Sequence, residues 1–223
     1  MVASLISVDM YEPGTIRRTV AKGGDKHTVF RVGEVHGRIT KRVEELRDMV
    51  ARIDSAKTTT NLWGERWSKL CQNGMKNGVS AATGMTGFDC DRNDAVRRFS
   101  IKLGGEAVRV GQALGYHIEK IGKMEPETLA KASEGDKAAL DEIETILRPG
   151  SNINPNPRAD IQRPSMAQDI RKGRRTEIEF MNGYIADRGT FIGVPAPTHT
   201  KLTEIVKMVE RKELKAAASL LGG

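Results

Sequence analysis

The sequence predicts a mainly α-helical protein that opens with a few short β-strands. Segments rich in strand-forming residues lie mostly in the first 34 positions. From Lys41 onward, apolar residues recur every three or four positions, the period of a helix with one buried face. Four prolines between Arg148 and Pro164 interrupt that pattern and read as an extended connector between helical groups.

The elements follow in order. Val2 to Met10 is apolar and suits a strand, and Glu12-Pro13-Gly14 reads as a turn. Thr15–Ala21 and His27–Glu34 read as two strands joined in a hairpin through Lys22-Gly-Gly-Asp-Lys26. Lys41 opens a helix whose inward positions are Val43, Leu46, Val50 and Ile53, and Lys57 to Thr60 is a short β-prone return. Thr60 or Asn61 can cap the next helix, because either side chain accepts a hydrogen bond from the free amides of a first turn. That helix is expected to run to about Lys76 and to end at Asn77-Gly78, with a loop at Gly84–Gly87. A long helix follows from about Arg92 to Leu114, with Val96, Phe99, Leu103, Ala107, Val110 and Leu114 inward. Gly104-Gly105 inside it costs roughly 1 kcal/mol per glycine and points to close helix packing. Pro126–Ala132 and Lys137–Leu147 read as shorter helices. Beyond the connector, Ser165 reads as an N-cap, Glu177 starts a helix broken at Gly193, and Thr198–Leu214 forms the last helix. Residues from Ala216 are expected to fray.

The totals exclude several classes. A chain of 223 residues can bury an ordinary core. Two cysteines, Cys71 and Cys90, are too few for a disulfide scaffold and have no Cys-x-x-Cys spacing, which fits a reducing cytoplasm. The N-terminus lacks a basic region before its apolar stretch, so it does not read as a signal peptide. No apolar run is long enough to span a membrane. The net charge of +7 raises the question of nucleic acid, but 4% aromatic residues supply few stacking platforms, and attraction of an anionic small molecule explains the charge as well. His27, His36, His117 and His199 share no metal-ligand spacing, so neither a metal nor histidine catalysis is assigned.

The chemistry-bearing residues begin with Lys69, Asn73 and Asn77. Steps of four put one cation and two carboxamides on one helical face. Such a stripe suits a small oxygen-rich substrate, for example a keto acid, since ammonium and amide groups donate to oxygen. A solvated face is the plain alternative.

Leu62-Trp-Gly-Glu-Arg-Trp-Ser-Lys69-Leu, Ser165-Met-Ala-Gln-Asp169, Thr176-Glu177-Ile and Gly193-Val-Pro-Ala-Pro197 occur in that order. With Lys-x-x-x-Asn-x-x-x-Asn, this arrangement resembles the C-terminal half of the ketopantoate reductases (2-dehydropantoate 2-reductases), from about Glu12 to about Arg211. The resemblance implies a helical domain of the 6-phosphogluconate dehydrogenase C-terminal type, preceded by strands remaining from a Rossmann-type domain. Residues 1–60 would be that remnant, 61–214 the helical catalytic domain and 215–223 a frayed tail. It implies NADPH-dependent reduction of 2-dehydropantoate to pantoate, on the route to pantothenate and coenzyme A. Lys69 would supply the proton or steady the oxyanion. Asn73 and Asn77 would line the substrate, Ser165 would bind its carboxylate, and Glu177 its hydroxyl. It also implies NADP(H) as cofactor, a small 2-keto acid as partner, and allows a homodimer, with no nucleic acid and no membrane.

Two departures bear on this. The Gly84–Gly87 loop lacks an asparagine that some family members supply, which keeps other small 2-keto acids in play as substrates. No Gly-x-Gly-x-x-Gly turn occurs, so the chain is expected to begin after the cofactor half, and a non-catalytic helical dimerisation or binding fragment is a rival of another class. Titration calorimetry on the chain alone should therefore detect no NADPH binding at micromolar concentrations. Tight, saturable binding would mean that these residues hold the cofactor after all.

Overall fold

The computed structural model describes residues 2–3, 8–12, 14–18, 28–148 and 163–222. The expected hairpin turn at Lys22–Lys26 and nearly all of the proline-rich connector lie outside the described residues. The chain forms two compact units, Met1–Lys69 and Leu70–Gly223.

The first unit carries the strands. β1 (Val2–Ala3) and β5 (Ala56–Thr58) flank β4 (Phe30–Val32), antiparallel and parallel respectively. β2 (Val8–Glu12) and β3 (Thr15–Arg18) form a separate antiparallel pair. The hairpin therefore closes through Gly14, whose φ of +81° suits glycine in a tight turn. This corrects the expected pairing of Thr15–Ala21 with His27–Glu34, because β3 and β4 belong to different sheets. β5 returns to the sheet as expected. Helix α1 (Lys41–Ala51) starts at Thr40, whose hydroxyl accepts from the Val43 amide. It lies against β4 and β5 and buries Val43, but Leu46 and Ile53, expected inward, are exposed. Three short strands cover only a narrow stripe of a helix, and Ile53 falls beyond the helix end.

Helix α2 (Leu62–Gly74) begins where Asn61 Oδ1 accepts from the Gly64 amide at 3.2 Å. It stops at Gly74, earlier than the periodicity predicts. α3 (Asn77–Thr83) then starts a new helix and ends at Gly84 in the left-handed region.

In the second unit, α4 (Gly87–Arg92) leads into α5 (Asp94–Ala113), which is the centre of the packing. α6 (Pro126–Ser133), α7 (Lys137–Leu147), α9 (Asn182–Ile192) and α10 (Pro197–Glu210) all lie against α5. The expected inward residues of α5 are buried except Leu114, which is half-buried just past the helix end, and so are Arg97, Ser100, Ile101, Gly104, Gly105, Val108 and Gly111. A helix with neighbours on most sides has no single apolar face, which is why a one-faced pattern under-reads it. Arg97 is buried and donates to Asp91 O, Asp94 and Glu144, tying α5 to α7. Burial pushes the Glu144 carboxyl up, but Arg98, Arg97 and Arg148 outweigh it and hold the group below the usual carboxylate range.

α8 (Ser165–Arg171) packs on α3, and a 3-10 turn at Ile178–Phe180 precedes α9. Glu177 thus stands before a 3-10 turn and not at the start of an α-helix. Gly193, at φ +74°, ends α9 as the sequence predicts. The tail does not fray from Ala216. Ala217 N donates to Ala82 O at 3.0 Å, a second 3-10 turn spans Ala218–Leu220, and Leu221 is buried.

A buried polar chain joins four of these helices. Asn182 Nδ2 donates to Gly74 O at 3.0 Å, the carbonyl at the end of α2, and lies 3.0 Å from His199 Nδ1. His199 Nε2 lies 2.8 Å from Leu103 O on α5. Carbonyl oxygens only accept, so both carbonyls assign the protons facing them. The Asn182 amide nitrogen faces Gly74 and gives its second proton to Nδ1, and the neutral imidazole carries its proton on Nε2. Burial pushes the His199 imidazole down to about 4, against the opposing effect of Leu103 O.

The tight packing at α5 can be tested first. A Cβ at Gly105 would run into the Ser133 side chain, and one at Gly104 would come within 2.8 Å of Leu129 and Met75. Gly105→Ala should lower the thermal midpoint, because overpacking costs about 1–3 kcal/mol while helix propensity returns roughly 1 kcal/mol. A raised midpoint would show that α6 yields freely. The buried imidazole makes stability depend on pH. Between about 6.5 and 4 the unfolded chain binds a proton that the folded imidazole refuses, so folding weakens as pH falls through that window. The full loss attributable to His199 is on the order of 3 kcal/mol. His199→Gln cannot titrate, so its stability deficit at pH 7 should shrink toward pH 4. A deficit constant with pH would contradict a neutral His199.

Candidate active site

Lys69 and Asn73 lie one turn apart on α2, and both are half-buried. Lys69 makes no ion pair among the described residues, and burial lowers its ammonium below the ordinary lysine range. That direction makes proton donation easier.

Asn77 does not continue this stripe. The helix breaks after Gly74: Met75 N still bonds Cys71 O at 3.0 Å, Lys76 N bonds Asn73 O in a tighter turn, and Ser80 N starts afresh on Lys76 O. Asn77 is therefore the first residue of α3, half-buried, with its Nδ2 3.9 Å from Met181 Sδ. A face read at steps of four cannot cross such a break, because the axis changes there. The Gly74 carbonyl, freed from the helical ladder, is the one that Asn182 holds.

Asn77 and Glu177 flank one close contact. A Cβ on Gly78, next to Asn77, would lie 2.8 Å from Ile178 Cδ1, 3.0 Å from Leu202 Cδ2 and 3.2 Å from Asn182 Oδ1. Glycine there lets α3 approach the turn that follows Glu177. Thr176, one residue earlier, is anchored: its amide donates to Glu210 on α10 at 2.6 Å, and its hydroxyl donates to the same carboxylate. Glu177 itself is exposed. Ser165 is also exposed. It is the first residue of α8 and not its cap, since Pro164 holds the cap position and no side chain bonds the free amides. α8, which Ser165 opens, packs on α3, which Asn77 opens.

The basic run Arg171, Lys172, Arg174 and Arg175 is exposed, and Arg175 pairs with Glu179, which also holds Lys207. Cys71 and Cys90 are buried, and burial raises both thiols, Cys90 to about 11. Neither is a reactive thiolate near neutral pH. No cluster of potential metal ligands exists among the described residues.

Sequence reasoning missed Asn182, His199 and Glu106. Glu106 accepts from the Thr198 and His199 amides at 3.0–3.2 Å and from the Thr198 hydroxyl, so it caps α10 from another helix. Burial pushes its carboxyl up, while those donors oppose the shift. Pro197 after Ala196 marked a helix start with no local cap, the one sequence signal that a remote acceptor was needed.

The sequence pattern described as "Ketopantoate reductase PanE/ApbA C terminal" matches residues 61–210. A 2-dehydropantoate 2-reductase of Archaeoglobus fulgidus is 26% identical over 192 residues, 86% of this chain and 55% of that protein. One from Pyrococcus horikoshii is 25% identical over 169 residues, 75% of this chain and 48% of that protein. The chain thus spans about half the length of these curated relatives. Among solved structures, a ketopantoate reductase of Ralstonia eutropha JMP134 superposes with a TM-score of 0.64 at 24% identity, over 94% of this chain and 58% of that one. At these identities the structural likeness speaks for the fold. Together with the match over residues 61–210, it shows that this chain belongs to the ketopantoate reductase family, as its helical C-terminal part.

Proposed function

We propose that this chain is the substrate-binding and proton-donating part of an NADPH-dependent 2-dehydropantoate 2-reductase, acting in the cytoplasm on the route to pantothenate and coenzyme A. The observation that carries the reading is Lys69, half-buried without a counter-charge among the described residues, one helical turn from Asn73 in a family of keto-acid reductases. The nicotinamide cofactor supplies hydride to the carbonyl carbon when bound. No Gly-rich phosphate turn is present in these residues, so none of them is assigned to it.

The chain's own residues would do the remaining work. As the carbonyl becomes an alkoxide, the Lys69 ammonium gives it a proton or steadies its charge, an interaction stronger in the transition state than with the ketone. Asn73 and Asn77 would donate to substrate oxygens, Ser165 to the carboxylate, and Glu177 would accept from the hydroxyl. The dimeric ketopantoate reductase of Staphylococcus aureus, whose structure is similar, supports a homodimer here as well. A second substrate reading has its own support. A D-mandelate dehydrogenase solved with NADH shares this fold at a TM-score of 0.67 and 18% identity, so another small 2-keto acid is the alternative.

The test uses a version of the protein that carries a dinucleotide-binding half, assayed with 2-dehydropantoate and NADPH. Lys69→Ala should lower kcat by about 10²–10⁴ and leave folding intact, the range for a lost acid or oxyanion donor. Lys69→Arg should recover little, because guanidinium hardly gives up a proton. The wild-type rate should fall on the alkaline side, with a midpoint below that of free lysine, and Lys69→Ala should lack that limb. Near-normal turnover in folded Lys69→Ala would leave α2 with only a solvated polar face. Full activity on a different 2-keto acid, with none on 2-dehydropantoate, would select the alternative.

A further inference from the structure

Helix α9 has two dissimilar faces. Asn182, Ile185, Ala186 and Gly189 are buried on one side. On the opposite side stand Tyr184, Asp187, Arg188 and Phe191. Phe180 is 77% exposed, Phe191 76% and Tyr184 41%. Among the described residues of Leu70–Gly223, these are the exposed large apolar side chains; Tyr184 and Phe191 fall on this one face, and Phe180 stands just ahead of the helix. Scattered exposed apolar residues need no explanation, but concentration on one stripe does.

The stripe also has an internal order. The Arg188 guanidinium lies between two rings, 5.6 Å from the centre of Tyr184 and 5.2 Å from that of Phe191. Asp187, beside it, is exposed, and neither residue makes an ion pair among the described residues. Two copies of α9 can be laid antiparallel about a two-fold axis that passes between residues 187 and 188. The register that sets Tyr184 against Phe191 of the other copy then also sets Asp187 against Arg188. Each aromatic meets an apolar group and each charge meets its opposite, from one register. An isologous contact requires such self-complementarity, whereas a surface evolved for an unrelated partner has no reason to show it.

We propose that the outer face of α9 is the two-fold contact through which this chain pairs with a second copy of itself. The aromatic rings supply the buried centre of the contact, the role such side chains play most effectively at interfaces. The Asp187–Arg188 pairs fix antiparallel orientation and exclude parallel pairing, which would set like charges together. The proposal rests on the homodimer reading above and adds the surface that makes it.

Sedimentation velocity on the 223-residue chain, from about 1 to 100 µM, tests both separately. The wild-type chain should dimerise in that range. Phe191→Lys should weaken the dimer roughly 30-fold or more, as for an interface anchor, with an unchanged helical circular dichroism spectrum. Asp187→Arg should also weaken it, by placing arginine against arginine. Adding Arg188→Asp to Asp187→Arg should recover pairing, because the reversed charges again oppose. A general loss of structure would not be repaired by that second change. A wild-type chain that stays monomeric overturns both the homodimer and this surface. A dimeric wild type whose Phe191→Lys and Asp187→Arg variants remain equally dimeric leaves the homodimer standing and overturns the assignment to α9.

Discussion

One side-chain amide organises the second unit. Asn182 takes the carbonyl that α2 leaves unpaired at Gly74 and connects it through His199 to Leu103 on α5. A buried carbonyl without a donor would cost about 1–3 kcal/mol, so the break between α2 and α3 is tolerable because this donor is built into α9. The neutrality of His199 is part of the same arrangement. A proton on Nδ1 would face the Asn182 amide donor, and the amide could satisfy it only by turning its oxygen inward and releasing Gly74. Asn182 Oδ1 is buried without a partner among the described residues, so the network favours the carbonyl over full satisfaction of the amide. Glu106 closes the other side by capping α10 at Thr198 and His199, which holds the imidazole in place.

This arrangement bears on the proposed chemistry. Because α2 stops at Gly74, the half-buried amides of Asn73 and Asn77 leave from two helices instead of one. Two amides on separate axes can converge on a small substrate, whereas three groups on a single straight stripe lie about 6 Å apart per turn and point in parallel. Gly78 then allows α3 to lie close to Ile178, which fixes Asn77 relative to the segment bearing Glu177. Thr176, held by Glu210, anchors that segment from the other side. Rigid backbone supports exposed or half-buried polar tips, the division of labour a binding site requires.

Much of the fold was legible because local patterns decide it. The start of α1, the bounds of α6 and α7, the end of α9, the return of β5 and the Asn61 cap follow from periodicity and turn residues. The Gly104-Gly105 pair announced close packing, and Leu129, Met75 and Ser133 are the side chains that demand it. The strand pairing was not legible, since either glycine-bearing turn suits a hairpin and the sheet partner of β4 comes from distant β1 and β5. The break at Gly74 was hidden for the same reason: its compensating donor lies 108 residues away. Of the candidate site, Lys69, Asn73 and Asn77 were singled out by spacing and Ser165 and Glu177 by motif resemblance; periodicity placed Lys69 and Asn73 on their helix but not Asn77 or Glu177. The shared support was not legible, because Asn182 and His199 read as ordinary polar residues until their partners are known.

A neutral, Nε2-protonated His199 and the Asn182 amide together hold Gly74 at the end of α2. The imidazole ¹⁵N shifts of His199, followed from pH 7 to pH 5, measure this directly. A protonated Nε2 and a bare, hydrogen-bonded Nδ1 are expected, nearly unchanged across that range because burial pushes the group down to about 4. A proton on Nδ1 at pH 7, or titration near the value of an exposed histidine, would contradict it.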